Sequence, residues 1–302
     1  MVYLIELPDT SDPNTHSQSR RTLYRVLIFA AAFLFSTGGV AIKSCSLNSW
    51  QVAGFRSGIA GLVLIVALPE ARRGWNRLTF LAGIAYAATL VTFVAANKMT
   101  TSANAIFLQS TAPLYMLFLA PLVLKEKIRR LDVAVVAAVA VGAVLLLSGS
   151  AAPGQASSGP RALAGNAIAV LSGLAWALTM TALRWIGSRG NSLSVAALGN
   201  VIAFVACLPM ALADPIHPDT SDILVLLYLG VFQIALAYIF LTRSIRHVRA
   251  IEAATLLLAE PVFNPLWSWL IRNERPGPAV LGGGAIIVLA AFCGTLLQSR
   301  QS

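Results

Sequence analysis

The sequence predicts an all-α integral membrane protein of ten transmembrane helices, arranged as two inverted five-helix repeats. Three observations predict it. The 302 residues are 57% hydrophobic and only 11% charged, with a mean hydropathy of +0.76, whereas soluble domains carry about 25% charged residues. A water-soluble globule of this composition would leave large apolar patches on its surface. The apolar residues come in ten runs, each near the roughly 20 residues that cross a bilayer as a helix. The basic residues fall between those runs and alternate in density from one connection to the next.

The runs lie at 24–42, 50–69, 78–97, 101–124, 131–149, 162–183, 193–213, 222–242, 249–271 and 278–297. Residues 1–22 are polar, with Pro8 and Pro13, and read as a disordered cytoplasmic tail. The first run is longer than a signal-peptide core, although the small residues Ser36, Thr37, Gly38 and Gly39 within it leave cleavage open. Residues 149–160 contain Ala, Pro, Gly and Ser almost alone and form a flexible connector at mid-chain. This gives a first unit at 23–149, a connector at 150–160 and a second unit at 161–298. The remaining connections are too short to hold an extramembrane domain.

Orientation follows from charge. With the N-terminus inside, the inner segments, counted to include Arg25 and Arg249 at the run ends, hold 16 Lys and Arg and the outer segments 5, with Arg56 deep inside a run. That split obeys the positive-inside rule and puts both termini in the cytoplasm. A net charge of +10 distributed in this way is a membrane-surface feature and predicts no nucleic-acid partner. The short loops suggest a bacterial inner (plasma) membrane.

An offset of 148 residues superposes Ala112-Pro113-Leu114 on Glu260-Pro261-Val262 and Glu126 on Glu274, and lays the third, fourth and fifth runs on the eighth, ninth and tenth. Five spans per copy forces the copies into opposite orientations, a design used for alternating access.

These strings carry a family resemblance. Ser110-Thr-Ala-Pro-Leu through Leu-Lys-Glu126 and Leu257-Leu-Ala-Glu-Pro-Val through Asn-Glu274 resemble the drug/metabolite transporter superfamily, EamA type, over roughly residues 24–297. The chain departs from the Gly-Glu pair common at the end of span nine, having Asn273-Glu274 instead. The resemblance implies a secondary transporter, with spans one, three, four, six, eight and nine around a central cavity. It leaves the substrate open among amino acids, other metabolites and drugs.

Candidate site residues concentrate in span nine. Glu260, Asn264 and Trp267 are spaced i, i+4, i+7 and share a helix face. Pro261 and Pro265 are helix kinks that free the carbonyls of Leu257 and Pro261. On span four Pro113 frees the carbonyl of Gln109 in the same way. Freed backbone groups and polar side chains at mid-depth suit a binding cavity. A carboxyl there is costly, at about 2.5–3.5 kcal/mol on insertion scales for comparable residues. It is therefore protonated or paired with a cation, and Glu260 is the candidate coupling or recognition group, with the proton as coupling ion. Tyr86, Asn104, Phe107, Trp176, Gln233 and Tyr238 complete the candidate substrate-binding set. Arg56 sits one to two turns into span two, within reach of the outer surface by snorkelling, or else serves as an external gate partner. Gly54-x-x-x-Gly58 and Gly282-Gly283-Gly284 allow close helix contact, in a homodimer among other arrangements.

Catalysis, cofactor and metal are not expected. No phosphate-binding loop occurs, His16, His217 and His247 lie outside the spans, and the three cysteines show no ligand spacing. The function expected is export of a small metabolite such as an amino acid or derivative by alternating access. The alternatives are a multidrug or lipophilic-cation exporter and, in another class, a passive pore or channel.

Overall fold

The computed structural model describes residues 13–150, 159–188 and 191–272, with scattered helical positions between 278 and 293. All regular structure among the described residues is helical. Among the described residues, seven segments are long and apolar enough to cross a membrane: Arg20–Ser44, Ser49–Ala67, Arg77–Met99, Ser102–Leu124, Pro160–Gly187, Leu193–Ala213 and Thr220–His247.

Helix α1 (Pro13–Ser36) passes through the single residue Thr37 into α2 (Gly38–Ser44). It begins well before the first expected run, with Pro at the start, where a helix needs no N–H. Residues 13–22, expected as disordered tail, therefore belong to its first turns; residues 1–12 lie outside the described residues. Asn48 opens α3 (Ser49–Ala67) through a capping box with Gln51, and Asn76 caps α4 (Arg77–Met99). Such caps contribute about 1 kcal/mol each.

The expected fourth span is made of α5 (Ser102–Gln109), α6 (Ala112–Leu119) and a wide π turn over Ala120–Leu124 that accommodates Pro121. Helix α7 (Arg130–Ser150) follows, then α8 (Pro160–Gly187) and α9 (Leu193–Ala213). The expected eighth span comprises α10 (Thr220–Tyr228), a π stretch over Leu229–Leu236 and α11 (Ala237–Ser244). The expected ninth comprises α12 (Ala250–Leu257) and α13 (Glu260–Arg272). The connector, Glu274 and most of the tenth run fall outside the described residues.

Breaks in the paired spans match in register. Helix α5 starts at 102 and α12 at 250; α5 ends at 109 and α12 at 257; α6 starts at 112 and α13 at 260. Each pair differs by 148, the offset at which the sequences align.

Two ends of the bundle are tied differently. At one, Arg25 pairs with Glu252 at 2.7 Å, Arg184 with Glu126 at 3.2 Å, Arg243 with Glu70 at 3.3 Å and Arg249 with Asp132 at 2.8 Å. Arg184 also donates to the carbonyls of Ile245, at 3.0 Å, and Arg246. Each of these ion pairs joins a residue before the connector to one after it. At the other end, ties among the described residues include hydrogen bonds with one charged partner. Ser46 donates through its N–H and hydroxyl to the Asp222 carboxylate, at 2.7 and 2.5 Å. Lys98 Nζ donates to the Cys45 carbonyl at 2.6 Å, and Gln51 reaches the backbone of Ala211 at 3.2 Å.

The exterior is apolar where a soluble protein's would be polar, and the largely apolar interior also holds polar side chains. Ser57, Asn97, Asn200 and Asn264 are buried, while Leu62, Phe118, Leu122 and Leu270 are exposed. Lipid provides no hydrophobic drive between helices, so close contact relies on small residues. Cβ atoms added at Gly54 and Gly58 of α3 would meet Cys207 and Phe204 of α9 at 3.1 and 2.9 Å. The Gly54-x-x-x-Gly58 motif is thus occupied by an internal helix contact. Gly282 similarly faces Leu145 of α7.

Burial pushes the Cys45 thiol up to about 11, and little thiolate exists near neutral pH. In a Cys207→Ser/Cys293→Ser background, maleimide labelling of Cys45 is expected to be slow at neutral pH and to accelerate when that end of the bundle opens. Rapid labelling, insensitive to added substrate, would contradict the closed geometry of residues 43–51.

Candidate functional site

The site grows from three interrupted helices. At Ser36–Gly39 the chain changes from α1 to α2, and the small residues let other side chains approach the backbone. Asn264 Nδ2 donates to the Ser36 carbonyl at 3.2 Å, and Trp267 Nε1 to the Ser36 hydroxyl at 2.8 Å. Tyr228 donates its phenolic O–H to Thr37 Oγ1 at 2.8 Å. A Cβ on Gly38 would lie 2.7 Å from Gln233 Nε2, and one on Gly39 2.6 Å from Asn264 Nδ2. A side chain at either glycine would displace the amide from its present position.

The other interruptions lie at 110–111 and 258–259, each just before a proline in the first turn of the following helix. Pro113 and Pro261 offer no N–H, and the chain turns through Ser110-Thr111 and Leu258-Ala259 before α6 and α13 resume. Gly173 of α8 packs on the first of these breaks; a Cβ there would lie 3.0 Å from the Leu108 carbonyl oxygen and 3.1 Å from that of Gln109.

Between the interruptions lies a cavity of about 30 Å³, bordered by Phe35, Arg56, Thr89, Gln109, Trp176, Gln233, Tyr238 and Glu260. A space of that size holds a water molecule or two. A second space of about 20 Å³ shares Gln109, Trp176 and Glu260 and continues along Pro113, Met180 and Pro261. Phe35, Trp176 and Tyr86 surround Tyr238, with ring centroids 5.1, 6.3 and 4.5 Å away. A larger space of about 240 Å³ lies among Arg21, Arg25, Arg129, Arg249 and Glu252 at the ion-paired end.

Glu260 is 8% exposed and has no hydrogen-bond or ion-pair partner among the described residues. Gln109 Nε2 donates to Ser172 Oγ at 2.8 Å. Gln233 sits on the π stretch, a wide helical geometry frequent at functional sites, and accepts from Arg56 Nη1 at 3.3 Å. Of the residues expected in the site, Gln109, Trp176, Gln233, Tyr238 and Glu260 border the cavity. Tyr86 supports it through Tyr238, and its hydroxyl accepts from Asn200 Nδ2 at 2.9 Å. Asn264 and Trp267 bind the α1–α2 interruption. The side chain of Pro265 lies outside the described residues.

Two expected members lie elsewhere. Phe107 is buried in an apolar cluster with Ile42 and Val139; two residues from Gln109, it points about 200° around the helix and cannot share its face. Asn104 is in the first turn of α5, in a polar cluster with Thr100 and Asn166 at the bundle end, where its Nδ2 donates to Asn166 Oδ1 at 3.3 Å. Arg56 also departs from expectation. It is 1% exposed instead of extending to the surface, and its Nη2 donates to the Leu90 carbonyl at 3.2 Å. Sequence reasoning also missed the Ser36–Gly39 interruption, although a run of small and polar residues in mid-span was its signal.

A bundle with a lipid-compatible exterior and a polar, interrupted centre defines a multi-pass integral membrane protein of transporter type. Comparison with known proteins makes this specific: the profile of the EamA-like transporter family matches residues 22–148 and again 163–296. The chain belongs to that family, within the drug/metabolite transporter superfamily. It is 24% identical over 287 residues to an uncharacterized transporter of Clostridium kluyveri, covering 88% of this chain and 91% of that protein. A second match, 32% identical over 154 residues, is to an uncharacterized protein of Pseudomonas aeruginosa and covers 48% of this chain and 50% of that one. One crystal structure of a protein 24% identical in sequence shares the fold, with a TM-score of 0.73 over 92% of this chain and 98% of the other. The family transports small molecules across membranes and is not enzymatic.

Proposed function

We propose that the chain is a ten-span secondary transporter that exports a small metabolite, such as an amino acid or derivative, by alternating access. Two inverted repeats, residues 23–149 and 161–298 about the connector 150–160, exchange roles across a bacterial inner membrane with both termini cytoplasmic. The observation that carries this reading is Glu260, a carboxyl without a hydrogen-bond partner among the described residues. It borders the central cavity beside helix breaks spaced 148 residues apart. Equivalent breaks in two oppositely oriented helices give each half the same hinge, which a rocking cycle requires. A cavity of that size is too small for a metabolite, so the described conformation is closed at its waist and substrate enters only as the helices part. Glu260, Gln109, Gln233, Trp176 and Tyr238 then form the substrate surface, and Glu260 carries the coupled proton.

Reconstitution in liposomes tests this reading. Labelled amino acids are expected to show saturable flux, to exchange against unlabelled substrate and to respond to a proton gradient. Saturable flux of cationic dyes alone would favour the lipophilic-cation exporter, for which the rings around Glu260 offer cation–π contacts. Flux that neither saturates nor exchanges would indicate a pore.

A further inference from the structure

The central cavity is lined by two ionisable side chains of opposite kind, Glu260 and Arg56, yet no ion pair joins them. Arg56 instead donates to two neutral acceptors, Gln233 Oε1 and the Leu90 carbonyl, and its Nε has no acceptor. A guanidinium stays protonated in proteins, and a buried charge normally has a counter-charge. Both groups are held by packing: Arg56 is 1% exposed and Glu260 8%.

We propose that Arg56 and Glu260 form a two-point site for a zwitterion, the guanidinium taking a carboxylate and Glu260 an ammonium group. This rests on the reading of the central cavity as the substrate path and names the substrate class: an α-amino acid or close analogue with an apolar side chain. Such a molecule brings one charge of each sign and compensates both groups at once. An amine without a carboxylate leaves Arg56 without a counter-charge, and a carboxylate without an amine does the same to Glu260; removing one partner from a buried pair is the costly case. The planar guanidinium fork matches a carboxylate in two hydrogen bonds, which a lysine cannot reproduce. Phe35, Trp176 and Tyr238 supply the apolar wall for the side chain.

The test uses the full-length protein in liposomes with labelled phenylalanine as probe. Its competitors are unlabelled phenylalanine, its methyl ester, which keeps only the ammonium, and its N-acetyl form, which keeps only the carboxylate. Wild type is expected to prefer phenylalanine over either capped form by about tenfold or more, a factor of ten being 1.4 kcal/mol. Arg56→Gln should erase the preference over the ester, Glu260→Gln the preference over the acetyl form, and Arg56→Lys should keep part of the former. Thermal midpoints in detergent identify any variant that fails to fold, and the wild-type competition series stands without the variants. Equal competition by ester and amino acid in wild type overturns the inference. So does unchanged discrimination in folded Arg56→Gln, or the absence of saturable flux of both phenylalanine and leucine. Saturable transport of amines or dyes under any of those outcomes leaves the transporter reading standing without the two-point site.

Discussion

Glu260→Gln is expected to lower proton-stimulated flux by about tenfold or more and to make the remainder insensitive to the imposed gradient; tenfold corresponds to 1.4 kcal/mol. The substitution keeps size and hydrogen-bonding capacity while removing the only site on this side chain that exchanges a proton. Glu260 has no hydrogen-bond partner among the described residues, so the amide disrupts no tie visible in the fold. A loss of transport would then reflect chemistry at the cavity and not collapse of the bundle. Flux and its gradient dependence are measured at equal reconstituted protein, with Glu260→Asp as the carboxyl-retaining comparison. Wild-type behaviour in Glu260→Gln would remove the coupling role altogether.

The second large effect concerns stability. A Cβ at Gly199 of α9 would lie 2.5 Å from Tyr86 Cδ1 and 2.8 Å from Tyr86 Cβ. Tyr86 cannot step aside, because it is fully buried, bonded to Asn200 and packed on Tyr238. Gly199→Ala is therefore expected to destabilise the protein by about 2 kcal/mol, within the range for overpacked sites. It should also reduce transport, because Tyr86 transmits the displacement to Tyr238 at the cavity. Gly58→Ala provides the comparison. There the new Cβ meets the edge of the half-buried Phe204 ring at 2.9 Å, which can swing away, so a milder effect is expected. Thermal midpoints in detergent, followed by tryptophan fluorescence, measure both. Equal midpoints for the two variants would contradict the rigid α4–α9 contact.

Hydropathy made the helical segments legible because a bilayer imposes a length on any apolar helix; Leu193–Ala213 coincides with its expected run. The breaks near Pro113 and Pro261 were legible for a similarly local reason, since a missing N–H leaves its mark wherever the helix lies. What the sequence concealed depends on partners distant along the chain. Depth alone placed Arg56 within reach of the surface; only the fold brings Gln233, 177 residues away, to its guanidinium. Depth was also the clue not followed for Asn104, in the first turn of α5. For Phe107 it was helical phase, opposite to that of Gln109. Interruption of the first span at Ser36–Gly39 has no proline to announce it. Its function becomes visible only once Asn264 and Trp267 are seen bonded there.

The four ion pairs at one end of the bundle act as a clasp between the halves, because each links a residue from before the connector to one from after it. Attraction between exposed charges weakens as dissolved ions gather, over a screening distance of about 10 Å at 0.1 M salt. Arg243–Glu70, half exposed, is open to this, while the other three pairs are partly buried and are screened less. The ties at the opposite end, two hydrogen bonds to the Asp222 carboxylate and two to backbone carbonyls, each have at most one charged partner and depend less on the surrounding electrolyte. The two ends of the molecule therefore differ in their response to ionic strength. Added salt is expected to weaken the Arg243–Glu70 tie first, on the arginine-lined side.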